Sequence, residues 1–152
     1  MKLFLDTEFN GFGGELISLA LVSENGWEFY QVKTKPGKLN SWVQAHVIPF
    51  LAIDGHDGKP VGDDIFSDLL AHYLLQFPNA EIIADWPADI EHLCAALTYQ
   101  GERAGWRIPG EFKFILKRVS GIKPEIPHNA LSDARALKEA YLRGNNEHTR
   151  AN

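Results

Sequence analysis

A near-continuous apolar run from Glu15 to Ser23 (ELISLALVS) leads into Asn25-Gly26 and then into Trp27 to Lys33 (WEFYQVK). A short apolar run bounded by a turn dipeptide reads as a strand, and Asn-Gly fits the positive φ angles of a type I′ hairpin turn. The chain is thereby committed to an antiparallel hairpin. Ahead of it Lys2 to Asp6 (KLFLD) is a short apolar strand that ends on a carboxylate, and Gly11, Gly13 and Gly14 supply a turn between the two. The first 33 residues therefore read as a three-stranded antiparallel meander.

Beyond Pro36-Gly37 the pattern turns helical. A short helix is expected over Leu39 to Val47, a Gly/Asp-rich loop over Ile53 to Asp63, and an amphipathic helix over Asp64 to Phe77 ended by Pro78. Glu81 to Ala84 reads as a strand. The next helix opens near Pro87, a favoured first-turn residue, with Ile90, Leu93, Cys94 and Leu97 on one stripe. Phe112 to Leu116 is a further strand, and Ala130 to Arg143 a last amphipathic helix closed by Gly144. Without repeats or a long linker, a single domain is expected over residues 1–144, with a C-terminal tail over 145–152. Three antiparallel strands, then helix, strand, helix, strand, helix, imply an α/β fold. Its sheet is mixed, with parallel strands added through crossovers after the meander and helices flanking it.

Composition narrows the function. Apolar residues make up 45% of the 152, enough for one sizeable core. No apolar run reaches the roughly 18 residues of a membrane span, and the start MKLFLDTEFN lacks the features of a signal peptide, so no membrane partner and a cytoplasmic location are expected. The single cysteine, Cys94, makes neither an internal disulfide nor a Cys-rich zinc site. Fifteen basic and twenty acidic residues give a formal charge of −5, the wrong sign for gripping long nucleic acid through a phosphate-neutralising surface. A nuclease stays open, because acidic metal ligands lower the formal charge before their ions are counted. The densest basic stretch, Lys113, Lys117, Arg118 and Lys123, reads as a solvated face.

Three acidic segments carry chemistry. In Asp6-Thr7-Glu8, residues two apart on an extended backbone project to the same face, so both acids emerge side by side at a strand end. Adjacent carboxylates repel and need a shared proton, strong solvation or a cation. An aspartic-protease reading fails because Glu8 stands where its Asp-Thr-Gly signature has glycine. Asp133 lies four and eight residues before Leu137 and Tyr141, so it shares their helical stripe and points toward the core, with His128 one turn ahead of that helix. Asp85 and Asp89 flank a strand-to-helix connection. Asp89 begins the buried stripe of Leu93, whereas Asp85 is explained as a capping acid before Pro87. The glycines at 11, 13 and 14 form no phosphate loop, since no GK[ST] follows, and His46, His56, His72, His92 and His148 show no metal-ligand spacing.

Asp6-x-Glu8, then Asp89 ahead of a Leu-rich helix, then His128-x4-Asp133, in that order along nearly the whole chain, resemble the DEDDh class of 3′→5′ exonucleases, which have the ribonuclease-H-like fold. The opening DTEF followed by ELISLALVSENGWEFY is similar to the small bacterial and phage exoribonucleases of the mycobacterial type. The chain departs at Asp85-Trp86, where many relatives carry an asparagine-containing stretch.

The resemblance implies that Asp6, Glu8, Asp89 and Asp133 hold two Mg²⁺ or Mn²⁺ ions, with Glu8 and His128 catalytic and His128 the general base that takes the proton from the attacking water. It implies a metal-dependent 3′→5′ exonuclease that releases nucleoside 5′-monophosphates from single-stranded or 3′-overhanging nucleic acid, RNA more than DNA. Setting aside those four ligands leaves sixteen acids against fifteen bases, close to neutral. Thr7, Phe9, Asn10 and Trp86, beside the acidic motifs, are the expected contacts to the terminal nucleotide. Trp42 is an exposed aromatic that could serve a homodimer. Two other readings are a non-catalytic nucleic-acid or nucleotide binding module of the same fold and a metal-dependent small-molecule phosphodiesterase.

Overall fold

The computed structural model describes residues 1–34, 37–99, 105–106 and 110–150. Strands β1 (Lys2–Phe9), β2 (Leu16–Ser23) and β3 (Glu28–Lys33) pair antiparallel in succession, as the hairpin signal requires. Helix α1 (Ser41–His46) and a single 3₁₀ turn (Ile48–Phe50) follow, then β4 (Pro60–Val61), α2 (Asp63–Leu74), β5 (Glu81–Ala84) and α3 (Pro87–Ala96). A small separate pair, β6 (Thr98–Tyr99) and β7 (Gly105–Trp106), precedes β8 (Lys113–Leu116) and the long α4 (Ala130–Arg150). The six-stranded sheet has the order β4-β3-β2-β1-β5-β8, with β5 parallel to β1, β8 parallel to β5 and β4 parallel to β3. This is a mixed-sheet α/β architecture consistent with the ribonuclease-H-like fold.

Every residue of β2 is buried, because the strand lies inside the sheet and is covered on both faces. On one face Leu3, Leu5, Leu19 and Leu21 pack with Phe66, Leu70 and Leu74 of α2 and Leu93 of α3. On the other, Ala20 and Val22 meet Ala130, Leu131 and Ala134 of α4, and Phe4 meets Leu137 and Tyr141. Side chains alternate along β1, so Asp6 and Glu8 continue the Phe4 face toward the start of α4. Glu8 pairs with Ser18 but Phe9 pairs with Leu16, a register shift that leaves Ile17 as an extra residue. Such bulges twist a strand and re-aim its end, often beside functional sites.

Several boundaries differ from those the pattern suggests. β1 runs past Asp6 and takes in Glu8 and Phe9, since pairing with β2 continues through both. The expected loop before Asp63 contains β4, and β6 with β7 adds a second small pair; each strand is two residues long, too short to show a period. Gly144 does not close the last helix. A terminating glycine takes the left-handed conformation, Gly144 does not, and α4 continues through it to Arg150, accepting a cost of about 1 kcal/mol relative to alanine. Of the expected tail, Ala151 and Asn152 lie outside the described residues. Among the described residues no helix is long and apolar enough to cross a membrane.

Candidate metal centre

The start of α4 is fixed by Asn129, which is fully buried. Its Oδ1 accepts from the backbone N–H groups of Leu131 (3.0 Å) and Ser132 (3.1 Å), an N-cap. Its Nδ2 donates to the Phe50 carbonyl (2.7 Å) and the Tyr30 hydroxyl (3.3 Å), which ties the helix to β3 and to the 3₁₀ turn. Arg135 adds a bidentate pair to Glu28, both contacts 2.7 Å, that locks the helix's rotation over β3. With α4 held this way, Asp133 sits one turn before Leu137 and faces Asp6 and Glu8. The preceding residue of the cap, His128, adopts φ 63°, a left-handed conformation that a non-glycine residue takes at a cost of about 1 kcal/mol. The backbone N–H groups of His128 and Asn129 hydrogen-bond the Asp133 carboxylate.

Opposite, α3 brings in Asp89, which is 2% exposed. Thr7 Oγ1 donates to Asp89 Oδ1 at 2.7 Å, while Asp89 Oδ2 is buried with no hydrogen-bond partner. Two clusters of carboxylate oxygens result: Asp6, Glu8 and Asp133 form one, and Asp6, Asp85 and Asp89 the other, with the oxygens of each within 4.8 Å of one another. Asp6 belongs to both. The four acids expected from the motifs thus converge, and a fifth joins them.

Electrostatics follows from burial and crowding. Burial, then the charges of Asp89, Asp133, Glu8 and Asp85, holds the Asp6 carboxyl well above its ordinary range. Burial with the Asp133 and Asp89 charges raises Glu8 to about 8. Burial raises Asp89 to about 7 against the opposing Thr7 hydrogen bond, and raises Asp133 to about 6 against its backbone hydrogen bonds. Burial also raises Asp85. Such a group of acids is stabilised by protons or by cations, and an all-oxygen donor set suits hard divalent ions such as Mg²⁺ or Mn²⁺. The orphaned buried Oδ2 of Asp89 fits a cation there.

Asp6, Glu8, Asp89 and Asp133 line a cavity of about 570 Å³ whose wall also includes Thr7, Phe9, Phe12, Trp42, Trp86 and His128. That volume lies in the range of pockets that hold small ligands. His128 is exposed at the rim, its ring edge-on to Trp42 at 4.8 Å, and Trp42 stacks on His46 at 4.7 Å. Phe12, 89% exposed at the tip of the glycine turn, lies 6.3 Å from the half-exposed Trp86. Phe9 packs against His92 at 4.8 Å.

Among the expected substrate contacts, Phe9 and Trp86 face the cavity, and Thr7 reaches it with its hydroxyl engaged by Asp89. Asn10 lies outside the cavity wall. Its Oδ1 accepts from Asn40 N–H (2.7 Å) and its Nδ2 donates to the Lys38 carbonyl (2.9 Å), so its amide anchors the segment that carries Trp42. Asp85 requires a correction. It caps nothing: Trp86 occupies the N-cap of α3 without a side-chain hydrogen bond, and Asp85 turns toward Asp6. The aromatic pair Phe12 and Trp42 was not among the expected contacts; Phe12 reaches the cavity from the turn after β1 and Trp42 from the first turn of α1, and the Asn10–Asn40 contact ties these two segments together. In the basic stretch, Lys113 pairs with Glu81 at 3.2 Å and Lys117 lies over the Tyr141 ring, away from the cavity wall.

No family model matches the chain. Over 55 residues it is 47% identical to 3′-5′ exoribonucleases of Mycobacterium tuberculosis, from strains CDC 1551 / Oshkosh and ATCC 25618 / H37Rv. The shared segment covers 34% of this chain and 33% of each relative, so the chain spans about a third of the length of the curated relatives it matches.

Proposed function

We propose that the chain is a metal-dependent 3′→5′ exonuclease that acts on single-stranded RNA ends and releases nucleoside 5′-monophosphates. The observation that carries this reading is the pair of carboxylate clusters sharing Asp6 at the floor of a cavity with His128 on its rim. The segment shared with proteins named 3′-5′ exoribonucleases supports the same reaction and the choice of RNA.

Asp6, Glu8, Asp89 and Asp133 are the residues to hold two Mg²⁺ or Mn²⁺ ions. Bound there, the ions supply charge stabilisation for in-line displacement at a phosphodiester and lower the pKa of water. His128 accepts the proton of the attacking water at a ring nitrogen, a general-base role. Its position is held by the Asp133–His128 backbone hydrogen bond and by the edge-on contact with Trp42. Thr7 orients Asp89. Phe12, Trp42 and Trp86 offer flat apolar faces for the terminal base, a sequence-tolerant mode of binding.

Incubating 5′-labelled RNA with the protein and Mn²⁺ or Mg²⁺ tests the reading, alongside matched DNA and double-stranded substrates. Stepwise shortening from the 3′ end, with mononucleotide products and loss of activity in Asp6→Ala, is expected. Absence of shortening on all substrates with both metals, or full activity in Asp6→Ala, overturns it. Release of inorganic phosphate from mononucleotides would instead identify a phosphatase.

A further inference from the structure

Asp85 is not the cap of the helix it precedes. It follows the last residue of β5, Ala84, and stands before the N-cap Trp86, which closes α3 without a side-chain hydrogen bond. Its carboxylate instead joins those of Asp6 and Asp89, all three oxygens lying within 4.8 Å of one another. Oxygens on opposite sides of one octahedral magnesium ion are about 4.2 Å apart, so a small side-chain adjustment closes this cluster around an ion. Asp89 supplies an independent observation. It is 2% exposed, Oδ1 accepts from Thr7, Oδ2 is buried without a hydrogen bond, and one oxygen of this carboxylate belongs to the cluster. A buried carboxylate oxygen left in that state is costly unless a cation or a proton meets it.

We propose, building on the two-cation reading above, that Asp85 is a direct carboxylate ligand of the second cation, which Asp6, Asp85 and Asp89 hold before any nucleic acid is present. Asparagine at this position preserves size but removes a negative charge from the cluster. Three carboxylates satisfy a divalent ion electrostatically without help from a substrate phosphate. The other ion keeps Asp6, Glu8 and Asp133. Both ions are therefore loaded in the free protein, and the affinity of one of them depends on Asp85.

Titrating metal-free protein with Mn²⁺ and following free Mn²⁺ by electron paramagnetic resonance reads this without turnover. Wild type is expected to bind two Mn²⁺ per chain in the absence of RNA. Asp85→Asn should weaken one of the two by about tenfold or more, since even outer-shell losses cost that much, and leave the other unchanged. Asp133→Asn should weaken the opposite one. Thermal melting in chelator checks folding, and Asp85→Ser replaces Asp85→Asn if the latter melts without cooperativity. Unchanged affinities in Asp85→Asn, or a single Mn²⁺ in the free wild type, overturn the assignment. If RNA is still shortened stepwise in that case, the exonuclease reading stands and only the role of Asp85 falls. Loss of one Mn²⁺ site in Asp85→Asn from a wild type that shortens no RNA does the reverse.

Discussion

Thr7 and Asp89, eighty-two residues apart in sequence, meet in a buried 2.7 Å hydrogen bond that ties the end of β1 to the first turn of α3. The hydroxyl satisfies Oδ1 of Asp89 and leaves Oδ2 buried without a partner, in a carboxylate that clusters with those of Asp6 and Asp85. Thr7→Val removes the donor while keeping the shape. A buried acceptor left unsatisfied costs about 1–3 kcal/mol, so a lower urea midpoint is expected, with Thr7→Ser close to wild type. An unchanged midpoint in Thr7→Val would show that the contact contributes nothing.

His128 combines an exposed ring with a left-handed backbone. Replacing it by alanine should lower single-turnover cleavage of RNA by about 10² to 10⁴ through loss of proton transfer, with little change in melting temperature. His128→Gly should lose as much activity yet be more stable than the alanine variant by about 1 kcal/mol, because glycine adopts the positive φ freely. Equal stability of the two variants would argue against strain at this position.

Stability of the metal-free protein should fall as pH rises. Asp133, Asp89 and Glu8 titrate at about 6, 7 and 8 in the folded chain, above their ordinary values near 4, and Asp6 is raised as well. Between those limits the folded state binds more protons than the unfolded one, so each step up in pH favours unfolding, and the loss is complete above the folded values. Melting temperatures in chelator should decline from about pH 5 to pH 8. Added Mg²⁺ or Mn²⁺ should restore more at pH 8 than at pH 5. A flat or rising profile in chelator contradicts the crowding of acids described above.

Phe12, on the turn after β1, and Trp42, in the first turn of α1, flank the cavity. Base stacking on one aromatic ring is worth about 1–3 kcal/mol, so Phe12→Ala should raise the KM for single-stranded RNA roughly fivefold to more than a hundredfold. Its melting temperature should not move, because the ring is 89% exposed. Trp42→Ala should also lower kcat, as it removes the ring that flanks His128. Unchanged KM in both variants would remove the aromatic wall from substrate binding.

Much of this arrangement was legible from spacing alone. The two-residue period of a strand puts Asp6 and Glu8 on one face, and Leu137, which packs on Phe4, reports the direction in which Asp133 points one turn earlier. Asp89 is similarly betrayed by Leu93. Asp85 was misread because a carboxylate before Pro87 also suits a helix cap, and only the turn leaving β5 decides where it faces. Phe12 and Trp42 carry no local signal. Their positions follow from contacts such as Asn10 to Asn40, thirty residues apart, that no periodicity encodes. Within α2 two adjacent apolar stripes share helical spacing, Ile65 with Leu69 and Phe66 with Leu70 and Leu74, so periodicity alone does not choose between them; the second is buried and the first faces solvent.

Asn129 exhausts the hydrogen-bonding valence of its side chain, with two bonds received and two given. Aspartate matches its outline but has nothing to give, serine is too short to span to Phe50, and glutamine displaces both ends by a methylene. Each of these substitutions forfeits at least one of the four bonds, so a saturation library selected only for a folded chain should retain asparagine at this position, which touches no ligand, more strictly than it retains the crowded acids of the pocket.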